Sequence, residues 1–273
     1  GLHIGDRFFA KNWDDPAASP GASKRAAFLD WAKQQGYNTL SIASHYLNRN
    51  AKGRGESWDT PKLWPLDAAE FRRMELVLDD LAARGFLVFP FAGFFGRDAE
   101  FPRDAAEHTR YLRYTLARLA PYGNLLLNVA GPEPLLRSKV YLDAAEVNRL
   151  GTEIARLDPF AHPISVHNQT GDDEFRDAPW LTYGTLQGPK TLSRRALAAG
   201  LLKNHHPFKP LLAQETLWSG NTFHIRANKA DYSDADLRKN AYTIHFCAAA
   251  LVFADNDGDS STGFSGTLDL KAR

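Results

Sequence analysis

The chain alternates between short apolar segments and amphipathic segments almost from end to end. Eight apolar runs are typical of strands, at residues 3–10, 38–44, 86–93, 124–130, 163–168, 181–186, 210–215 and 249–254. Helical patterns lie between them, at residues 22–35, 67–84, 105–119, 142–157, 190–203 and 234–248, with only a weak segment at 172–176. Regular alternation of strand and helix predicts an α/β fold with a parallel sheet.

The apolar character of the strands favours a closed barrel over an open sheet. Residues 86–92 form an unbroken apolar run, as expected for a strand that is covered on both faces. The rival doubly wound sheet would carry a glycine-rich turn after its first strand, but residues 10–15 contain no glycine. We therefore expect one catalytic (β/α)8 TIM-barrel domain over residues 1–273, with its last helix missing or lying beyond Arg273.

Composition excludes several kinds of partner and site. The net charge of +1 gives no reason to expect nucleic acid or a membrane surface as a partner. The single cysteine, Cys247, excludes an intrachain disulfide and a Cys-based zinc cluster. His205-His206 lacks a third ligand, and Asp255-Asn256-Asp257 resembles a calcium loop in which Gly266 stands at the position of the bidentate glutamate. We expect no metal and no cofactor.

Two glutamates end strand-like runs at positions that suit glycoside chemistry. Glu133 ends the fourth run and Glu215 ends the seventh. Glycosidic cleavage needs a proton donor for the leaving oxygen and a second carboxylate at the anomeric carbon. Glu133 follows a glycine and a proline, so it has just left its strand, which suits an acid that later acts as a base. Glu215 is held more rigidly at its strand end, which suits a nucleophile.

Other side chains near the strand ends are candidates for sugar binding. Loops that follow strands are long and polar, which predicts a site at the carboxyl ends of the strands, overhung by residues 45–66. Polar groups would bond the sugar hydroxyls, and tryptophan rings would stack on its apolar face. The candidates are His45, Tyr46, Asn128, His167, Asn168, Gln187 and Asp255, with the rings of Trp58, Trp64 and Trp218. Trp31 and Trp180 are expected to be structural.

The sequence also resembles a known group of enzymes. Residues 64–67, 70–79 and 84–88, together with residues 128–133 and Gln214-Glu215, resemble the apiosidase-like, DUF4038-type barrels among the clan-A glycoside hydrolases. That resemblance implies a retaining mechanism with the acid/base after strand four and the nucleophile after strand seven. The chain departs from the group at Pro132, where asparagine is common, and at residues 253–255, where a tryptophan is common.

The predicted function is therefore a retaining O-glycoside hydrolase acting on an oligo- or polysaccharide. The basic residues Arg49, Lys52 and Arg54 lead to the further hypothesis of an acidic or sulfated sugar. A polysaccharide-degrading enzyme is usually exported, which favours a secreted or periplasmic location. Two alternatives stay open: a non-catalytic carbohydrate-binding barrel, and a metal-dependent hydrolase, although the first strand offers only His3 where that class needs His-x-His. No feature indicates an oligomeric state.

Overall fold

The computed structural model describes residues 1–4, 22–42, 64–90, 94–95, 102–130, 134–135, 142–169, 172–187, 193–219 and 233–255. Within them, strands and helices alternate along the chain. The elements are β1 (Leu2–Ile4), α1 (Ala22–Gln34), β2 (Thr39–Ile42), α2 (Ala68–Ala83), β3 (Leu87–Pro90), α3 (Ala105–Leu119), β4 (Leu127–Asn128), α4 (Ala144–Leu157), β5 (Ile164–Ser165), β6 (His167–Gln169), β7 (Gly184–Gln187), α5 (Arg194–Asn204), β8 (Leu211–Ser219), α6 (Asp234–Phe246) and β9 (Ala249–Asp255). None of these described helices is long and apolar enough to cross a membrane.

The strands close into a barrel in which every described pairing is parallel. Seven strands form a continuous sheet in the order β3-β2-β1-β9-β8-β7-β6, and β4 pairs with β5. Val166 alone separates β5 from β6, so these two occupy one strand position. The N–H of Val88 in β3 donates to the carbonyl of Asn124 (2.8 Å), and the N–H of Leu126 donates to the carbonyl of Val88 (2.8 Å). These bonds join β3 to the segment entering β4, and the predicted (β/α)8 barrel is confirmed.

The helices begin where the sequence supplies capping residues and pack their apolar faces on the barrel. The Asp143 side chain accepts from the N–H of Glu146, and the Glu146 carboxylate accepts from the N–H of Asp143, which forms a capping box at the start of α4. Leu150 and Ile154 on the same helix are buried. They belong to a core that also contains the outward-facing Ile42 of β2. Each buried side chain of this kind contributes about 1.5–3 kcal/mol to stability.

The boundaries differ from the sequence prediction in a few places. The helix expected at residues 142–157 begins at Ala144, because Asp143 is the capping residue. Pairing of the first strand starts at Leu2, and residues 5–10 of the predicted strand lie outside the described residues. Residues 256–273, which follow the last strand, also lie outside the described residues.

The segment between β6 and β7 contains turns instead of a helix in its described part, residues 172–180. The Nζ of Lys209 donates to the carbonyls of Arg176 (2.9 Å) and Ala178 (2.8 Å). Arg176 in turn donates from Nη1 to the carbonyl of Lys203 (2.9 Å). Burial lowers the pKa of Lys209. Side-chain bonds from the loop before β8 thus satisfy carbonyls that a helix would have paired internally.

The residues predicted to be structural lie in the core. Trp180 is buried, donates from Nε1 to Oδ1 of Asn148 (2.9 Å), and packs directly over Gly151 of α4. Trp31 is half-buried and its ring contacts those of neighbouring aromatic residues in and after α1. Cys247 is buried, and burial raises the pKa of its thiol, which suits an inert packing residue.

Candidate active site

The barrel lumen is lined by buried polar side chains. Ser41 of β2, Ser165 of β5, His167 of β6 and Gln214 of β8 are completely buried, and Thr185 of β7 is nearly so. Ser41 lies opposite Phe89 in the register, and His167 lies opposite Thr185, so each pair shares one face of the sheet. Barrel interiors are usually filled by bulky branched apolar residues. A polar lumen must instead satisfy its hydrogen-bonding groups internally.

Hydrogen bonds between strands pair four of these side chains. The Nε2 of Gln214 donates to Oγ of Ser41. The hydroxyls of Ser165 and Thr185 lie 3.1 Å apart, and Thr185 also donates to the carbonyl of Val166 (2.9 Å). These four side chains are therefore held by bonds that connect different strands.

Two further bonds hold β4, the strand that leads to Glu133. The backbone N–H of His167 donates to Oδ1 of Asn128 (3.0 Å). The phenol of Tyr183 donates to the carbonyl of Leu127 (3.2 Å). Tyr183 is buried, and this burial raises its pKa well above the ordinary tyrosine value. These side-chain bonds add to the backbone bonds that join this short strand to its neighbours on both sides.

His167 is completely buried in the lumen and packs beside an aromatic ring of β3. Its ring centroid is 6.4 Å from that of Phe89 on β3, at an interplanar angle of 41°. Phe89 itself packs with Tyr183 and Leu126 lower in the lumen. The structure thus brings together His167 and Asn128, two of the residues that the sequence predicts to bind a sugar.

The sequence predicts that Glu215 ends its strand, but β8 continues to Ser219 and is irregular at Glu215. Ala213 lies opposite Leu251, and the next paired residue, Leu217, lies opposite Phe253. Residues 214–216 of β8 therefore stand opposite the single residue Val252 of β9, and we call this irregular segment, which contains Glu215, the β-bulge of β8. Bulges redirect side chains and occur often beside active sites. In a regular strand, Glu215 would face away from the lumen that Gln214 enters, because neighbouring side chains alternate.

Several predicted site residues can be located only by their backbone or not at all. Trp218 near the end of β8 lies opposite Ala254 of β9, and Ser219 lies opposite Asp255. Trp218 and Asp255 therefore lie at the carboxyl ends of neighbouring strands, as expected. Four predicted residues lie outside the described residues: His45, Tyr46, Trp58 and Glu133.

Trp64 and Gln187 lie at the margin of the site. Trp64 is half-buried, packs against the apolar core, and meets the ring of Tyr111 on α3 edge-on, with 6.4 Å between centroids. Gln187 is half-buried at the carboxyl end of β7, opposite Gln169. Gln187 therefore keeps the strand-end position that the sequence predicts, whereas Trp64 contributes at least part of its ring to core packing.

Asn168 does not join the lumen residues. It follows His167 directly in β6, so the strand alternation directs it to the opposite face. It lines a cavity outside the barrel wall, together with Leu186, Asn204 and Leu211. The sequence analysis proposes both His167 and Asn168 as sugar contacts, but side chains alternate along β6, so the two residues lie on opposite faces of the sheet.

Five lumen residues are not among the sugar-binding candidates from the sequence: Ser41, Ser165, Tyr183, Thr185 and Gln214. Two of them carry a sequence signal. Ser41 alternates with Leu40 and Ile42 at the two-residue period of a strand, and Gln214 is a polar residue inside an apolar run. Among the described residues, no group of three or more His, Cys, Asp or Glu side chains is arranged to hold a metal ion.

Comparison with known proteins identifies barrels of the same architecture. No family model matches the chain, and no curated protein sequence matches it. Among solved structures, a glycoside hydrolase family 5 protein from Bacteroides vulgatus matches with a TM-score of 0.66 and 16% identity, over 97% of this chain and 62% of that one. The catalytic domain of a Thermobifida fusca endoglucanase, in complex with cellotetraose, matches with a TM-score of 0.58 and 12% identity, over 97% and 81%. This chain shares their barrel fold.

A third neighbour is an exo-β-1,4-mannosidase from Opitutaceae bacterium strain TAV5, with a TM-score of 0.57 and 15% identity, over 92% of this chain and 51% of that one. The neighbours are thus glycoside hydrolases that act on different sugars. The chain spans 64%, 62% and 51% of the length of three of the structures it matches. At these identities, the similarity establishes the fold.

Proposed function

We propose that this chain is a glycoside hydrolase that cleaves O-glycosidic bonds by a retaining, double-displacement mechanism. Glu215 acts as the nucleophile and Glu133 as the acid/base. The observation that carries the proposal is the β-bulge at Glu215, in the middle of β8, the seventh strand position of the barrel. The carboxyl end of the fourth position, β4, leads towards residues 131–133.

The chemistry follows from the roles of the two carboxyl groups. Glu215 attacks the anomeric carbon while Glu133 protonates the leaving oxygen, which gives a glycosyl-enzyme ester and releases the first product. Glu133 then removes a proton from water, which attacks the same carbon and releases the sugar with its original anomeric configuration. Neither step requires a metal or a cofactor.

The lumen supplies a rigid base for this site. Asn128 and His167 are linked by a hydrogen bond of 3.0 Å just below the carboxyl ends of their strands. The predicted sugar contacts Gln187, Trp218 and Asp255 lie at the carboxyl ends of three neighbouring strands, β7, β8 and β9. Hydrogen-bonding residues and a tryptophan are the combination of residue types that suits a pyranose.

The substrate class follows from the structural neighbours. One neighbour is an endoglucanase bound to cellotetraose, and another is an exo-β-1,4-mannosidase. We therefore propose an oligo- or polysaccharide substrate of this kind for a single barrel domain over residues 1–273. The resemblance at residues 64–67 and 70–79 supports a position among the apiosidase-like, DUF4038-type barrels.

The proposal is tested on a panel of aryl glycosides and polysaccharides with purified wild type, Glu133→Gln and Glu215→Gln. On a responsive glycoside, Glu133→Gln should lower kcat/KM by about 10²- to 10⁴-fold, and Glu215→Gln should abolish turnover. Exposed Glu174 provides the matched control, and Glu174→Gln should keep wild-type activity. NMR of the first-formed product should show retained anomeric configuration.

Other outcomes distinguish the alternatives. Wild-type hydrolysis by both glutamine variants would contradict the proposal. Sugar binding without hydrolysis, unaffected by either variant, would indicate a non-catalytic binding barrel. Loss of activity on treatment with a chelator would indicate a metal-dependent hydrolase.

A further inference from the structure

We propose that Gln214 and Ser41 are positioning residues that fix the bulged segment of β8 and thereby orient Glu215 for attack. This inference rests on the function proposed above. Neither side chain is placed in contact with substrate, so both act through Glu215. Their contribution is to hold the nucleophile in the geometry that the reaction needs.

The bond between these residues crosses the barrel lumen. The Nε2 of Gln214 donates to Oγ of Ser41, although the two residues are separated by 173 positions in the sequence. Gln214 lies on β8 and Ser41 on β2, and the sheet places both β1 and β9 between these strands. Both side chains are completely buried. The bond therefore connects strands that are three positions apart in the barrel wall instead of neighbouring strands.

The location of this bond matters because the strand is irregular there. The register of β8 with β9 skips residues 214–216, so this segment departs from the regular ladder. The residue directly before Glu215 is then held from inside the lumen by a side-chain bond. Removing that bond would allow the bulge to shift, and a displacement of about 1 Å at a reacting group can cost about 100-fold in rate.

A second lumen pair provides a matched control. The hydroxyls of Ser165 on β5 and Thr185 on β7 lie 3.1 Å apart and are equally buried. Thr185 lies in a regular part of the register, opposite His167 and Leu212, and neither hydroxyl adjoins a proposed catalytic residue. Loss of this pair should therefore affect stability without affecting the chemical step.

The experiment measures kcat, KM and the pH profile of kcat/KM for Ser41→Ala, Gln214→Met and the double variant, with Ser165→Ala as control. Each positioning variant should lower kcat by about 10- to 100-fold with KM nearly unchanged. The double variant should be no slower than the slower single variant, because the two residues act as one unit. The acid limb of the pH profile, which reports the nucleophile, should shift in these variants and remain unchanged in Ser165→Ala.

The results that would contradict the positioning role differ from those that would contradict the proposed function. Should wild type hydrolyse its substrate and Glu215→Gln abolish turnover, while Ser41→Ala and Gln214→Met keep kcat and the pH profile, only the positioning role is overturned. Activity that is independent of Glu215 overturns both proposals. Ser41→Ala removes a single oxygen atom, so it carries the test by itself if Gln214→Met does not fold.

Discussion

The backbone N–H of His167 donates a hydrogen bond of 3.0 Å to Oδ1 of Asn128, so a side chain of β4 holds the backbone of β6. Asn128 is completely buried. Asn128→Leu keeps a similar volume and leaves the His167 N–H without this acceptor, which should lower the free energy of unfolding by about 1–3 kcal/mol. It should also lower kcat, because β4 leads to Glu133. Urea unfolding and steady-state kinetics measure the two effects.

Thr115→Val is the control for Asn128→Leu. The buried Oγ1 of Thr115 on α3 has no hydrogen-bond partner among the described residues, so its loss should leave stability and kcat unchanged or raise stability. An Asn128→Leu variant as stable and active as Thr115→Val would contradict the role assigned to the Asn128–His167 bond.

Gly151 of α4 is required by the ring that lies over it. A Cβ at this position would lie 2.3 Å from Cδ2 of Trp180, a contact that forces the indole or the helix to move. Gly151→Ala should therefore lower the free energy of unfolding by about 1–3 kcal/mol. Gly123→Ala is the matched control, because nothing lies within 4 Å of a Cβ there. Thermal unfolding of the two variants checks the prediction, and equal melting temperatures would contradict it.

The buried pair of Asp158 and His162 should stabilise the amino-terminal end of the barrel. Nδ1 of His162 lies 2.9 Å from Oδ2 of Asp158, and Nε2 lies 3.2 Å from the carbonyl of Tyr122. Asp158 also accepts from the backbone N–H groups of Phe160 and His162. Asp158→Ala leaves these donors without their acceptor and should cost about 3–5 kcal/mol in unfolding free energy.

The exposed Asp177, which pairs with Arg176, is the control for Asp158. Asp177→Ala should leave the unfolding free energy unchanged, because an exposed ion pair is well solvated. Urea unfolding of both variants provides the measurement. Similar stability of the two variants would show that the Asp158–His162 pair does not stabilise the fold.

Stability should fall at alkaline pH because two tyrosines are held neutral. Burial, followed by the charges of Asp79 and Glu75, raises the pKa of Tyr122 to about 12. Burial alone raises the pKa of Tyr183 well above its ordinary value. An unfolded tyrosine ionises near pH 10. The contribution of these two tyrosines to the free energy of unfolding is therefore complete below about pH 10, and it is lost as pH rises from about 10 towards 12.

Tyr183→Phe tests this pH dependence. The variant should be less stable at pH 8, because it loses the bond to the Leu127 carbonyl, but its unfolding free energy should fall less steeply between about pH 10 and 11. Urea unfolding at a series of pH values measures the slope. A slope equal to that of wild type would contradict the assignment.

The sequence predicts the order of strands and helices because periodicity is a local signal. Residues 105–119 are a helix in both the prediction and the structure, since Asp104 caps it and its apolar residues recur at helical spacing. The strand expected at residues 124–130 has only two residues in regular pairing, because pairing depends on partners far along the chain.

The site is less predictable for the same reason. Nothing local indicates that Gln214 meets Ser41, and nothing in a single sequence marks the bulge at Glu215. Neighbouring residues at a strand end look alike in the sequence, yet His167 faces the lumen and Asn168 faces outward. Register and pleat, which are properties of the closed barrel, decide these contacts.

The most direct test of the proposed mechanism is the distance between the carboxyl groups of Glu133 and Glu215 in a crystal structure. A retaining mechanism predicts a separation of about 5–5.5 Å across the carboxyl end of the barrel. A separation of about 6.5–9.5 Å would indicate inversion instead, and carboxyl groups on different sides of the barrel would contradict the assignment of both residues.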